Sequence, residues 1–231
     1  MRRAVLDRLA KAHEAGQSVV LATNLESGEQ AILEAGEPGE FCSEDLTEAV
    51  AAAARADRSQ TVTTDAGEIF LQVFNPPLRL AIVGAVHIAQ ALAPMAARLG
   101  YQVKVIDPRG AFGSVERFPD VTLVEDWPDD VLDREPPDAR TAVVTLTHDP
   151  KLDDAALQKA LASPAFYIGS LGSKRTHAAR LERLGSMGFG AADLARIRGP
   201  IGLAIGSRTA PEIAVAILAQ MTQTLRQGAG G

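Results

Sequence analysis

Apolar positions set the first expectations. Val5, Leu6, Leu9 and Ala12 recur at the spacing of one helical face, and Gly16 follows where a helix end favours a left-handed residue. Val19, Val20 and Leu21 read as a short strand, with a turn at Glu26-Ser27-Gly28 and a return over Gln30 to Leu33. Ser43, followed by Glu44 and Asp45, suits an N-cap ahead of an alanine-rich helix over Glu48 to Arg58. Two β-prone runs, Gln60 to Thr64 and Glu68 to Phe74, flank Asp65-Ala66-Gly67 as a hairpin. Asn75-Pro76-Pro77 breaks the pattern, so a small α+β domain is expected over residues 1–75 and a second domain over 78–231.

Beyond the prolines, strands alternate with helices, the mark of a parallel sheet built from βαβ units. Leu78 to Val83 reads as a strand, His87 to Gly100 as a helix, and Tyr101 to Asp107 and Val121 to Val124 as the next strands. Thr141 to Thr147 reads as a nearly continuous apolar strand, Asp153 to Leu161 as a helix, Ala165 to Ser170 as a strand and Lys174 to Leu184 as a basic amphipathic helix. A last strand precedes a long helix with a capping box at Thr209 and Glu212, Pro211 being tolerated in its first turn. The expected fold class is α/β: a Rossmann-type doubly wound parallel sheet after the small α+β domain.

Charge narrows the partners. With 29 acids against 23 bases spread along the chain, the net charge of -6 gives no basic field for nucleic acid or membrane lipid. The apolar runs are too short to cross a bilayer, and charges interrupt the N-terminal segment where a signal peptide needs an apolar core. One cysteine, Cys42, excludes an intramolecular disulfide and suits a reducing, cytoplasmic compartment.

Candidate chemistry gathers after the strands. Gly84-Ala85-Val86-His87-Ile88-Ala89 matches G-x-G-x-x-A except that Val86 replaces the second glycine, where a branched side chain would meet a pyrophosphate. Poor affinity for NAD(P) is the expectation. Asp107, about 20 residues on, stands where an acid would hold a ribose hydroxyl, and Arg109 follows it. Alternatively, Gly84 serves tight packing and Asp107 caps a loop. His148 and Asp149 fall at the carboxyl end of a strand, where α/β sheets bind ligands, although a loop histidine is equally compatible. Gly169 to His177 combines turn glycines, hydroxyls and two cations at a helix start, so Gly169, Gly172, Ser173, Lys174, Arg175 and Thr176 are candidates to hold an anion. Lys174 and Arg175 on a solvated helix face is the plainer alternative. Arg208 and Thr209 offer a second helix start.

The segments VIDPRGAF, ERFPD, WPDD, TAVVTLTHDPKLDD, AFYIGSLGSKRTHAARL and IRGPIGLAIGSRTAPEIAVAIL, spanning Leu78 to about Leu225, together resemble the Rossmann domain of the XdhC/CoxI family. The resemblance implies a chaperone that binds molybdenum cofactor, as molybdopterin or its cytidine dinucleotide form. Such a protein protects the cofactor, assists its sulfuration and delivers it to a xanthine-dehydrogenase-type molybdoenzyme. The physical reading is compatible with it, making Gly84, His87, Asp107, Arg109, His148, Asp149 and the anion-binding candidates above the expected cofactor contacts; a cysteine desulfurase as sulfur donor and a homodimer are expected alongside. An enzymatic role is not required, since no nucleophile or proton-transfer pair stands out. The other readings are an NAD(P)-dependent oxidoreductase and a regulatory protein that holds a nucleotide without chemistry.

Some positions depart from the family pattern. Ala204 stands where members commonly have Asp, Gly199 lies where a histidine often occurs nearby, and Ala22 to Ser27 replaces a TWGSSPRP-like stretch in a shortened N-terminal domain. Phe41-Cys42-Ser43-Glu44 looks like the family's G-C-V-E segment. At a helix start the Cys42 thiolate would be favoured and could contact molybdenum or sulfur, while a small buried thiol is the alternative.

Overall fold

The structure is a computed structural model that describes residues 3–34, 44–110, 117–119 and 121–227. Cys42 lies outside the described residues. The chain divides into two compact units, Met1–Pro76 and Pro77–Gly231.

In the first unit, α1 (Arg3–Glu14) and α2 (Glu44–Ala56) accompany the strands β1 (Val19–Asn24), β2 (Gln30–Glu34), β3 (Gln60–Thr64) and β4 (Gly67–Phe74). The strands form an antiparallel sheet in the order β2-β1-β4-β3. Alternation along β1 explains why both faces are covered. Val20 and Ala22 pack with Leu46, Val50 and Ala53 of α2, whereas Val19 and Leu21 pack with Val5, Leu9 and Ala12 of α1. Gly16 has φ 63°, as its place after α1 suggests.

The second unit contains β5 (Arg79–Val83), α3 (His87–Arg98), β6 (Gln102–Ile106), β7 (Thr122–Val124), α4 (Pro128–Arg134), β8 (Thr141–Thr145), α5 (Pro150–Leu161), β9 (Tyr167–Ser170), α6 (Lys174–Ser186), α7 (Ala191–Leu194), β10 (Ile197–Arg198) and α8 (Ala210–Gln227). Its strands are parallel in the order β10-β9-β8-β5-β6-β7. Chain order therefore reverses between β5 and β8, the topological switch point of a doubly wound sheet. The central strands β5 and β8 are almost wholly buried because helices cover both faces. On one face Leu92, Ala93 and Ala96 of α3 meet Ile82, Val144, Ala214, Ile217 and Met221; on the other Leu157, Ala160 and Leu184 meet Val83, Val143 and Ile168.

Some boundaries differ from those the sequence suggests. β8 stops at Thr145: the Leu146 N–H still donates to the Val83 carbonyl, but the Thr147 N–H turns to the Asp153 side chain. α5 begins at Pro150, with Asp149 as N-cap accepting from the Lys151 N–H, earlier than its apolar stripe indicates. Among the described residues no helix is long and apolar enough to cross a membrane.

Candidate functional site

The carboxyl ends of β5, β6, β8 and β9 place most of the sequence candidates along one edge of the sheet, and direct contacts join their loops. At the switch point, Gly84 has φ 109°, and a Cβ there would lie 2.6 Å from Thr147 Cγ2. This glycine thus permits both the turn and the approach of the loop after β8. His87 opens α3 and is exposed, while Val86, the N-cap of α3, is half-buried against the core.

Asp107 is buried and accepts four hydrogen bonds. Oδ2 takes the Ala85 N–H and Arg109 Nη2, both at 2.8 Å, and Oδ1 takes Arg109 Nε at 2.8 Å and the Arg109 N–H at 3.0 Å. Burial alone would raise the Asp107 carboxyl, but the Arg109 hydrogen bonds and the two backbone donors outweigh it and hold the group below its ordinary value. A carboxylate has about four acceptor sites, so this aspartate braces the glycine turn and offers a ribose no acceptor unless Arg109 moves.

After β8, Thr147 is held through its hydroxyl, 2.7 Å from Asp153 Oδ1, and its Oγ1 accepts from the Asp149 N–H. Between them His148 is exposed and has φ 63°. A non-glycine residue in that region is strained, and its neighbours on both sides are fixed. Asp149 is engaged as the α5 cap.

After β9, Gly169 has a packing role: a Cβ there would lie 2.6 Å from Ile201 Cδ1. Gly172, at φ 145°, admits Thr176, whose Cβ is 3.1 Å from the position of an added Cβ. Ser173 caps α6, accepting from the Thr176 N–H and pairing with the Thr176 hydroxyl at 2.9 Å. Lys174 and Arg175 follow, both exposed and neither engaged by a described residue. Two cations and a helix N-terminus are therefore available to an anion at this edge.

The second helix start is differently disposed. Glu212 Oε2 accepts the Arg208 N–H at 2.7 Å and the Thr209 N–H at 2.9 Å, so a carboxylate of the chain already occupies those donors.

Three participants are not evident from the sequence. Asp153 and Arg180 are both buried and underlie the loops after β8 and β9. His177 packs so closely on Gly199 that a Cβ there would fall on its ring, and burial, with Arg180 nearby, lowers its pKa. The available signal was the stripe Ser173, Thr176, His177, Arg180 and Leu184 on α6, which sets an arginine on the same face as a buried leucine.

A six-stranded doubly wound sheet with a glycine turn at its switch point defines a Rossmann-type domain. The XdhC Rossmann domain family matches residues 80–221, and the chain belongs to that family. It is 33% identical over 148 residues to the molybdenum cofactor insertion chaperone PaoD of Escherichia coli (strain K12), covering 64% of this chain and 40% of that protein. It is 30% identical over 176 residues to the protein YqeB of the same organism, of unassigned role, covering 75% of this chain and 32% of that protein. The chain thus spans less than half of the length of these relatives. Its structure is similar to a crystal structure described as a xanthine dehydrogenase from Bacillus halodurans, with a TM-score of 0.74 and 27% identity over 97% of this chain and 67% of that one.

Proposed function

We propose that this chain is a molybdenum cofactor accessory protein that holds the cofactor along the carboxyl edge of its parallel sheet. It protects the cofactor, assists its sulfuration with a cysteine desulfurase as donor, and delivers it to a xanthine-dehydrogenase-type molybdoenzyme. The observation that carries the reading is the unengaged pair Lys174 and Arg175 directly after the Ser173 cap. Molybdopterin and its nucleotide form carry phosphate, and these residues suit that end: Arg175 can bind phosphate bidentately and Lys174 acts as a point charge. The exposed His148 and His87 flank the glycine turn, where the rest of the cofactor would lie. When bound, the cofactor supplies the molybdenum; the chain supplies anion recognition and orientation. The PaoD likeness favours the same function. The homodimer belongs to this proposal and is checked by light scattering. Anaerobic titration of the full chain with molybdenum cofactor, followed by absorbance, tests the reading; saturable uptake supports it and no uptake refutes it.

A further inference from the structure

Two loops of the candidate edge rest on one buried charged couple. Asp153, on α5, receives the Thr147 hydroxyl at 2.7 Å and the Thr147 N–H at 3.3 Å on Oδ1, and so fixes the loop that carries His148. Arg180, on α6, donates from Nη2 to the Leu171 carbonyl at 2.8 Å, and that nitrogen lies 3.7 Å from the position of an added Gly172 Cβ. The guanidinium thus supports the turn that carries Ser173, Lys174 and Arg175. The two side chains meet beneath the edge, Arg180 Nη2 being 3.8 Å from Asp153 Oδ2, and each is only 2% exposed.

The couple is not a saturated structural pair. Asp153 Oδ2, Arg180 Nε and Arg180 Nη1 are buried without a hydrogen-bond partner, and the neighbouring His177 Nδ1 is in the same condition. A buried ion pair with unmet hydrogen bonds contributes little to stability compared with an apolar pair of similar volume, so stability alone is a poor reason for its presence. α6 is already anchored to α5 by Arg183, whose Nε and Nη2 grip Asp154 at 2.6 and 3.0 Å. Holding the helices together therefore does not require Arg180. What Arg180 and Asp153 do, and Arg183 does not, is bond to the two loops themselves.

We infer that Asp153 and Arg180 are the positioning residues of the site, a couple whose carboxylate sets the loop after β8 and whose guanidinium sets the turn after β9. Through it, the strained His148 and the anion-binding turn keep a fixed relation, so that a phosphate-bearing ligand meets both at once. The inference draws on the proposed function only for what the loops hold; the coupling of the loops is a property of the free protein.

The test is amide hydrogen exchange on the ligand-free full chain, comparing wild type with Arg180→Met, Arg180→Lys and Asp153→Asn. Coupling predicts that Arg180→Met speeds exchange tenfold or more at Thr147, His148, Asp149 and Lys151 as well as at Leu171 to His177, while amides of β5 and α8 keep wild-type rates. Arg180→Lys, which keeps the charge, should restore most of the protection, and Asp153→Asn should loosen both segments from the other end. Acceleration confined to Leu171–His177, or spread evenly over the whole unit, overturns the inference. If Arg180→Met does not fold, the lysine and asparagine variants decide it by the same two-segment pattern at smaller amplitude. Titration with molybdenum cofactor then separates the two claims: absence of wild-type uptake removes the functional reading and leaves the exchange result standing. Uptake by wild type with at least tenfold weaker uptake by Asp153→Asn, and by Arg180→Met where it folds, supports both, and undiminished uptake by those variants contradicts the positioning role.

Discussion

The guanidinium of Arg109 lies against the carboxylate of Asp107 in a bidentate pair, Nε to Oδ1 and Nη2 to Oδ2, each at 2.8 Å. Because Oδ2 also takes the Ala85 N–H, the pair ties the end of β6 to the glycine turn after β5. Asp107→Asn should cost about 1–3 kcal/mol, as at least one of the donors loses its acceptor. The folded-state pKa of Asp107 is depressed, so its contribution is fully present above the unfolded value near 4 and is lost as pH falls through the lower folded value. Denaturant midpoints measured from pH 7 down to pH 3 should fall less steeply for Asp107→Asn than for wild type.

The same pair bears on dinucleotides. With the Asp107 acceptor sites used and Val86 at the second glycine position, NAD(P)H fluorescence titration should give no affinity tighter than about 100 μM. Val86→Gly alone should leave binding weak, since it does not release Asp107.

His148 adopts φ 63° between two fixed neighbours, so His148→Gly should relieve strain and stabilise the fold by up to about 1 kcal/mol after the added flexibility of the unfolded chain is counted. The thermal midpoint should rise by roughly 2–4 °C. A concurrent loss of cofactor affinity would identify the strain as serving the site.

Gly199 and His177 share one space. Gly199→Ala should destabilise by roughly 1–3 kcal/mol because the imidazole must move. In the His177→Ala background the same change should cost much less, and a double-mutant cycle measured by denaturant unfolding should show a coupling of at least about 0.5 kcal/mol.

Much of the fold was legible because long apolar strands and striped helices dominate the second unit. α4 was not, since seven residues rich in acids bury only Pro128, Val131 and Leu132, too few to make a stripe. The α6 start was legible from local residues, Ser173 to Thr176, because a cap and its cations adjoin in sequence. Asp107 misleads in the opposite way: its position suggests a ribose contact, and only the fold reveals that Arg109 and Ala85 occupy it. Asp153 and Arg180 are illegible because each looks like one more charge on an amphipathic helix until α5 and α6 bring them together beneath the sheet edge.

The central claim is that Lys174 and Arg175 hold the cofactor phosphate. It is tested most directly by comparing molybdenum cofactor affinity with thermal midpoint for Lys174→Ala and Arg175→Ala. Removing a charged hydrogen bond of about 1.5–3 kcal/mol predicts roughly ten- to hundredfold weaker binding for Arg175→Ala. The thermal midpoint should hardly move, because both side chains are exposed and unengaged. Wild-type affinity in both variants, with the fold retained, would contradict the account.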